Sequence, residues 1–141
     1  MERHDFVLAC MSPAENEIFR PVQVQKLFFL IDRNLHEILG GQYFNFEPYN
    51  YGPFDKTVYE ALEALAAEEM IEIVQDHTWK SYKLTNAGLE RGRVVFEELP
   101  EKAKAYITQI SNFVLSLSFT QLVRAIYNAY PEMRANSVFQ E

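Results

Sequence analysis

The sequence predicts a mostly helical, winged-helix-like domain with one β-hairpin and additional C-terminal helices. Three observations predict it. Residues 21–39 carry apolar side chains at helical spacing, and a second amphipathic stretch covers about 54–69. Behind them lie two short strand-like runs, 71–74 and 80–84, then a capped helix. Helix, long helix, hairpin, helix is the order of a winged helix. With 141 residues, the chain suits one domain over 1–141, since domains run to ~100–200 residues. It needs neither disulfide nor metal to fold.

Each element has a local reason. Phe6, Val7 and Cys10 share one side of a short helix over 3–11. Ser12-Pro13-Ala14-Glu15 reads as a capping box with proline at the first helical position, although Pro21 limits that turn. Pro21 opens the long helix, whose apolar face is Val24, Leu27, Phe28, Ile31, Leu35 and Ile38. Phe29 and Leu30 widen that face almost all the way round, which makes the helix central. Gly40-Gly41 supplies its stop. Residues 43–51 alternate in part before and after Pro48, giving an extended segment or short strand. Gly52-Pro53 is a turn, with Pro53 opening a helix that aligns Phe54, Val58, Leu62 and Leu65.

The hairpin turns at Asp76-His77-Thr78-Trp79, and Thr85 then caps a helix over about 86–98. Gly88, just inside that helix, suits a close approach of backbone to the hairpin. Leu99-Pro100 breaks it. The next helix has the face Ala103, Tyr106, Ile107, Ile110, Phe113, Val114 and Leu117. Ser118-x-x-Gln121 is a capping box for a last helix with Leu122, Val123, Ile126 and Tyr130, ended by Pro131. Residues 133–141 are expected to be only partly ordered.

Two stretches carry a family resemblance. Pro21-Val22-Gln23-Val24-Gln25-Lys26-Leu27-Phe28-Phe29-Leu30 resembles the opening of the Panacea (SocA-like) antitoxin-associated family and its YwgA-like relatives. Tyr51-Gly52-Pro53-Phe54, with Val58-Tyr59, Leu62 and Leu65 behind it, is similar to their second signature. The Leu84-Thr85-Asn86-Ala87-Gly88 and Tyr127-Asn128-Ala129-Tyr130-Pro131 steps are similar too, so the resemblance covers most of 21–131. It implies a small, non-enzymatic domain that neutralises a toxin or acts as an adaptor by direct protein contact. SocA-like members carry a tryptophan near the second signature; Tyr49 and Tyr51 stand there in this chain.

Charge narrows the partners. Lys and Arg number 13 against 20 Asp and Glu, a net charge of −7, which disfavours indiscriminate binding to nucleic acid or anionic membrane. Residues 54–75 hold one base, Lys56, against six acids; residues 76–93 hold Lys80, Lys83, Arg91 and Arg93 against two. The first stretch reads either as a solvated helix face or as an acidic surface for a basic partner. In DNA-binding winged helices the equivalent helix enters the major groove, where phosphates repel glutamates. One cysteine fits a reducing, cytoplasmic setting. No apolar run approaches the ~18 residues of a membrane span, and the N-terminus lacks the pattern of a signal peptide.

Chemistry-bearing constellations are not found. His4, His36 and His77 lie far apart, and none has metal-ligand spacing with Cys10, which reads as an inert buried thiol. Gly40-Gly41 lacks the Lys-Ser/Thr of a phosphate loop, and there is no G-x-S-x-G turn. No enzyme activity, cofactor or metal is expected. The candidate protein-binding residues are Tyr49 and Tyr51 as an aromatic rim, Glu60 and Glu63 as the acidic face, and Trp79 at the hairpin tip. Tyr51-Gly52-Pro53-Phe54 equally serves as a structural entry to the helix, and Trp79 equally folds back on its hairpin. The partner expected is a protein, such as a basic toxin. The alternative is a DNA-binding regulator using Lys56, Lys80, Lys83, Arg91 and Arg93 in a dimer. A homo-oligomer built through the aromatic C-terminal helices is the third reading.

Overall fold

The computed structural model describes residues 1–76 and 78–140, and of Asp76 the backbone. These residues run α1 (Arg3–Met11), α2 (Pro21–Leu39), β1 (Glu47–Tyr49), β2 (Gly52–Phe54), α3 (Lys56–Ala67), β3 (Ile71–Asp76), β4 (Trp79–Leu84), α4 (Asn86–Glu97), α5 (Glu101–Ser116) and α6 (Phe119–Ala129). Single 3-10 turns follow α1 at Ser12–Ala14 and α6 at Pro131–Arg134. The architecture is mostly helical and winged-helix-like, with the β3–β4 hairpin as the wing and α5 and α6 added behind it.

Helix α2 is the hub, as its apolar circumference predicts. Val24, Leu27, Phe28, Ile31 and Leu35 face the main core with Phe6, Leu62, Leu65, Leu84 and Ile107. Phe29 and Leu30 on its other side join Val114, Leu122, Val123, Ile126 and Tyr127 in a second cluster. Phe46 and Ile110 touch both clusters. Burying a Leu or Phe side chain contributes about 1.5–3 kcal/mol, so a helix that buries residues on both sides dominates the packing. Ile38 and Phe113, expected on apolar faces, are instead 43% and 39% exposed. Each lies beside the buried stripe of its helix, which runs through Leu35 and Leu39 in α2 and through Ala103, Ile107, Ser111 and Val114 in α5.

The wing forms in the predicted place. Ile71 pairs with Leu84, Ile73 with Tyr82 and Asp76 with Trp79; His77 of the expected turn lies outside the described residues. Phe19 adds one antiparallel bridge, its N–H donating to Tyr82 O at 2.7 Å and its carbonyl accepting from Tyr82 N at 2.8 Å. Thr85 caps α4, its hydroxyl oxygen accepting from Gly88 N at 3.1 Å. A Cβ on Gly88 would lie 1.9 Å from Met70 O, so only glycine lets α4 approach the root of the wing. Ser118 and Gln121 form the predicted capping box: Ser118 Oγ accepts from Gln121 N, and Gln121 Oε1 accepts from Ser118 N.

Four expectations need correction. The Ser12 box does not form, because Ser12 N–H is already used by α1, bonding Leu8 O and Ala9 O, and its hydroxyl donates to Ala9 O. Glu15, at φ 56°, leaves the helical path and pairs with Arg93. Pro53 does not open α3. It lies in β2 opposite Pro48, a position where neither residue needs an N–H, and Asp55 caps the helix instead. The segment expected as one extended stretch over 43–51 instead supplies β1, which pairs with β2 as a second, short hairpin beyond the single one expected. The C-terminal segment is tied down: Val138 N donates to Asn50 O at 2.9 Å, and Phe139 packs on Phe119 and Tyr127.

Candidate functional site

The start of α2 places Val22, Gln25 and Lys26 on one side, since residues three and four apart share a helix face. That side meets the β1–β2 hairpin. Gln25 fastens it: the amide donates to Asp55 O at 3.0 Å and accepts from Asp55 N at 3.0 Å. Asp55 in turn accepts from Thr57 N, Thr57 Oγ1 and Asn45 N. Helix α3, the hairpin and α2 are therefore locked together through one carboxylate and one amide. Gly52 has φ 104°, in the region that favours glycine, and Lys26 Cε lies 3.4 Å from where its Cβ would be.

Between these elements lies a cleft of about 560 Å³. Its walls are aromatic and come from five elements and the turn of the short hairpin. Tyr49 of β1 stacks on Phe54 of β2 at 4.8 Å, and Phe54 meets Tyr59 of α3 edge-on at 5.8 Å. Tyr51 in the hairpin turn meets Phe119 of α6 edge-on at 5.1 Å. Trp79 of β4 completes the lining. Tyr49, Tyr51, Trp79 and Phe119 remain 37–50% exposed, so they form a wet aromatic rim.

Lys26 lies at the floor. It is 3% exposed, and Nζ donates to Pro53 O at 3.2 Å. Burial pushes its ammonium down to about 7. Arg20 also lines the cleft, and no Asp or Glu does. Burial likewise raises the Tyr59 hydroxyl, and Tyr82, stacked on Tyr59 at 6.2 Å, is raised to about 12 by burial, then Tyr59 and Glu63. A larger cleft of about 690 Å³ lies on the other side of Tyr49 and Phe54. Its lining is mixed, with Tyr43, Phe44, Tyr49 and Phe54 beside Arg3, Lys56, Glu47 and Asp55, so its cations already have acids next to them, and Asp55 is already committed to capping. The aromatic cleft is the better candidate, because it combines exposed apolar area with a buried amine that has no acid beside it.

The sequence-predicted residues divide between sites. Tyr49, Tyr51 and Trp79 come together on the cleft. Glu60 is exposed on α3 and has no ion pair among the described residues. Glu63 is not available as a free acidic face, since Lys80 Nζ lies 3.1 Å from its Oε1. Lys83 lies 3.8 Å from Glu72, Arg91 is bidentate on Asp5, and Arg93 pairs with Glu15. Lys56 is exposed at the start of α3, on the lining of the larger cleft. The four bases of the wing and α4 are thus each set against the chain's own carboxylates. Phe54 is half-buried in the cleft wall and is not part of the α3 core face.

Lys26, Gln25, Tyr59 and Phe119 escaped the sequence reading. Only the two on α2 share a reason for their burial: apolar residues flank them on both sides in the first half of the helix, whereas Arg33, Asn34 and Glu37 further along are exposed. Gln23, Gln25, Lys26 and Asp32 are all buried in α2. Asp32 accepts from Tyr43 N and Phe44 N, pinning the loop before β1. Cys10 is fully buried, and burial, with Asp32 behind it, raises its thiol well above the ordinary value. Among the described residues, no three His, Cys, Asp or Glu side chains gather as a metal site, and no helix is long and apolar enough to cross a membrane. No protein-family model and no curated protein matches the chain.

Proposed function

We propose that the chain is a non-enzymatic protein-binding module, antitoxin-like or adaptor-like, that receives a segment of its partner in the aromatic cleft. One observation carries this reading. Tyr49, Tyr51, Trp79 and Phe119 stand exposed around one cleft of about 560 Å³ that a rigid frame of α2, α3 and the short hairpin holds open. Tyrosine and tryptophan are the side chains most enriched at interface hot spots, because they offer large, stiff apolar area with a polar edge. The internal pairing of Lys80, Lys83, Arg91 and Arg93 weighs against duplex binding, which needs cations free to replace counterions at phosphates. A reducing, cytoplasmic setting fits the single buried cysteine.

The test is a capture from the native host with three baits: the wild-type chain, a Tyr51→Ala/Trp79→Ala variant and Glu60→Lys. The cleft variant is expected to lose the partner, and Glu60→Lys to keep it. A partner held by the cleft variant and lost by Glu60→Lys would move the interface to the acidic face of α3.

A further inference from the structure

The floor of the cleft holds a buried amine with no acid beside it. An ammonium has three N–H donors, and buried charges in proteins are paired or hydrogen-bonded throughout. Lys26 is 3% exposed, and among the described residues its Nζ has Pro53 O as its acceptor, with no carboxylate within ion-pair distance. Arg20 adds a second cation, and no acid lines the cleft, in a chain whose net charge is −7. The one strongly acidic molecule thus keeps its carboxylates away from its main apolar cleft.

We infer that the cleft binds a short segment of a partner polypeptide in which an Asp or Glu, flanked by apolar side chains, sets its carboxylate on Lys26 while the flanks cover Tyr49, Tyr51, Trp79 and Phe119. This rests on the protein-binding reading and gives it a chemistry.

Charge selects the carboxylate. One carboxylate balances the single buried amine, Arg20 being exposed, whereas a phosphate at the floor needs several donors or a cradle of backbone N–H groups. The start of α2 offers no such cradle: Pro21 has no N–H, and those of Gln23 and Val24 already donate to Arg20 O. Shape selects the polypeptide. The aromatic rim extends beyond the floor, so an organic acid small enough to rest on Lys26 leaves those rings wet. A segment of a few residues covers them, and about 560 Å³ lies within the ~300–1,000 Å³ range of ligand sites.

The experiment is selection from a displayed library of random heptapeptides on the immobilised full chain, with Lys26→Met and Lys26→Gln run in parallel. Folding of both variants is checked by circular dichroism. Wild type is expected to enrich peptides with an Asp or Glu at one fixed position beside aromatic or leucine residues. Both variants are expected to keep the apolar preference and lose the acid. A synthetic consensus peptide should bind wild type about tenfold more tightly than its Asn or Gln counterpart, the factor that ~1.4 kcal/mol represents. A consensus without a fixed acid, or one unchanged by Lys26→Met, overturns the inference and leaves the protein-binding reading standing. No enrichment from wild type overturns both. A shift of Trp79 emission on adding phenylacetate, without any peptide consensus, would replace the polypeptide with a small organic acid.

Discussion

Lys26 is the residue at which stability and the proposed binding meet. Its ammonium falls to about 7 in the folded chain, whereas in the unfolded chain it stays protonated up to ~10.4. Between those values the unfolded state holds more protons, so stability rises as pH increases through the window, and the cost of burying the charge is fully present below it. Raising pH from 6 to 8 therefore relieves about 1 kcal/mol from this side chain. Lys26→Met is expected to be more stable than wild type at pH 6 and to flatten the rise. Paired urea titrations at the two pH values check this; parallel wild-type and variant slopes would mean that Lys26 is charged or wet in the folded chain. The counterpart at this scale is Asp32. It too is buried in α2, but the N–H groups of Tyr43 and Phe44 satisfy its carboxylate, so it has no need of a ligand.

Among the elements, α4 and the wing depend on a single missing side chain. A Cβ at Gly88 would meet the Met70 carbonyl carbon at 2.8 Å and its oxygen at 1.9 Å, and backbone cannot move aside as a flexible side chain does. Gly88→Ala is expected to destabilise by more than the ~1 kcal/mol scale of ordinary substitutions, read as a drop in thermal midpoint. An unchanged midpoint would show that α4 shifts freely off the wing. Elements with strong punctuation were legible in the sequence. Pro21 and Gly40 fix both ends of α2, and Thr85 and Ser118 fix the starts of α4 and α6. The β1–β2 hairpin was not legible as a pair of strands, because three residue pairs with two facing prolines carry no readable alternation. For the same reason Pro53 reads as a helix start, although Asp55, two residues on, holds the cap. Tyr49, Tyr51 and Trp79 were legible singly as exposed aromatics. Their meeting on one cleft depends on the contacts of α2, α3 and α6, and no local pattern reports that. Lys26 was hidden for a different reason: a single lysine in an apolar run is ordinarily a solvated side chain.

At the scale of the whole molecule, charge and apolar surface are separated. The wing and α4 bases are set against Glu63, Glu72, Asp5 and Glu15, and surface pairs of this kind contribute little to stability, about 0–1 kcal/mol each. They set each of these cations beside an acid of the same chain, which lowers the positive potential of that surface. The aromatic cleft joins exposed aromatic rings to a buried amine with no acid beside it. The most direct test uses Trp79, the chain's single tryptophan, which lines the cleft at 42% exposure. When the captured partner, or its binding segment made without tryptophan, is added to the full chain, Trp79 emission should shift to shorter wavelength and its quenching by acrylamide should fall. A complex that forms while the emission and quenching of Trp79 stay as they are in the free protein would contradict the account.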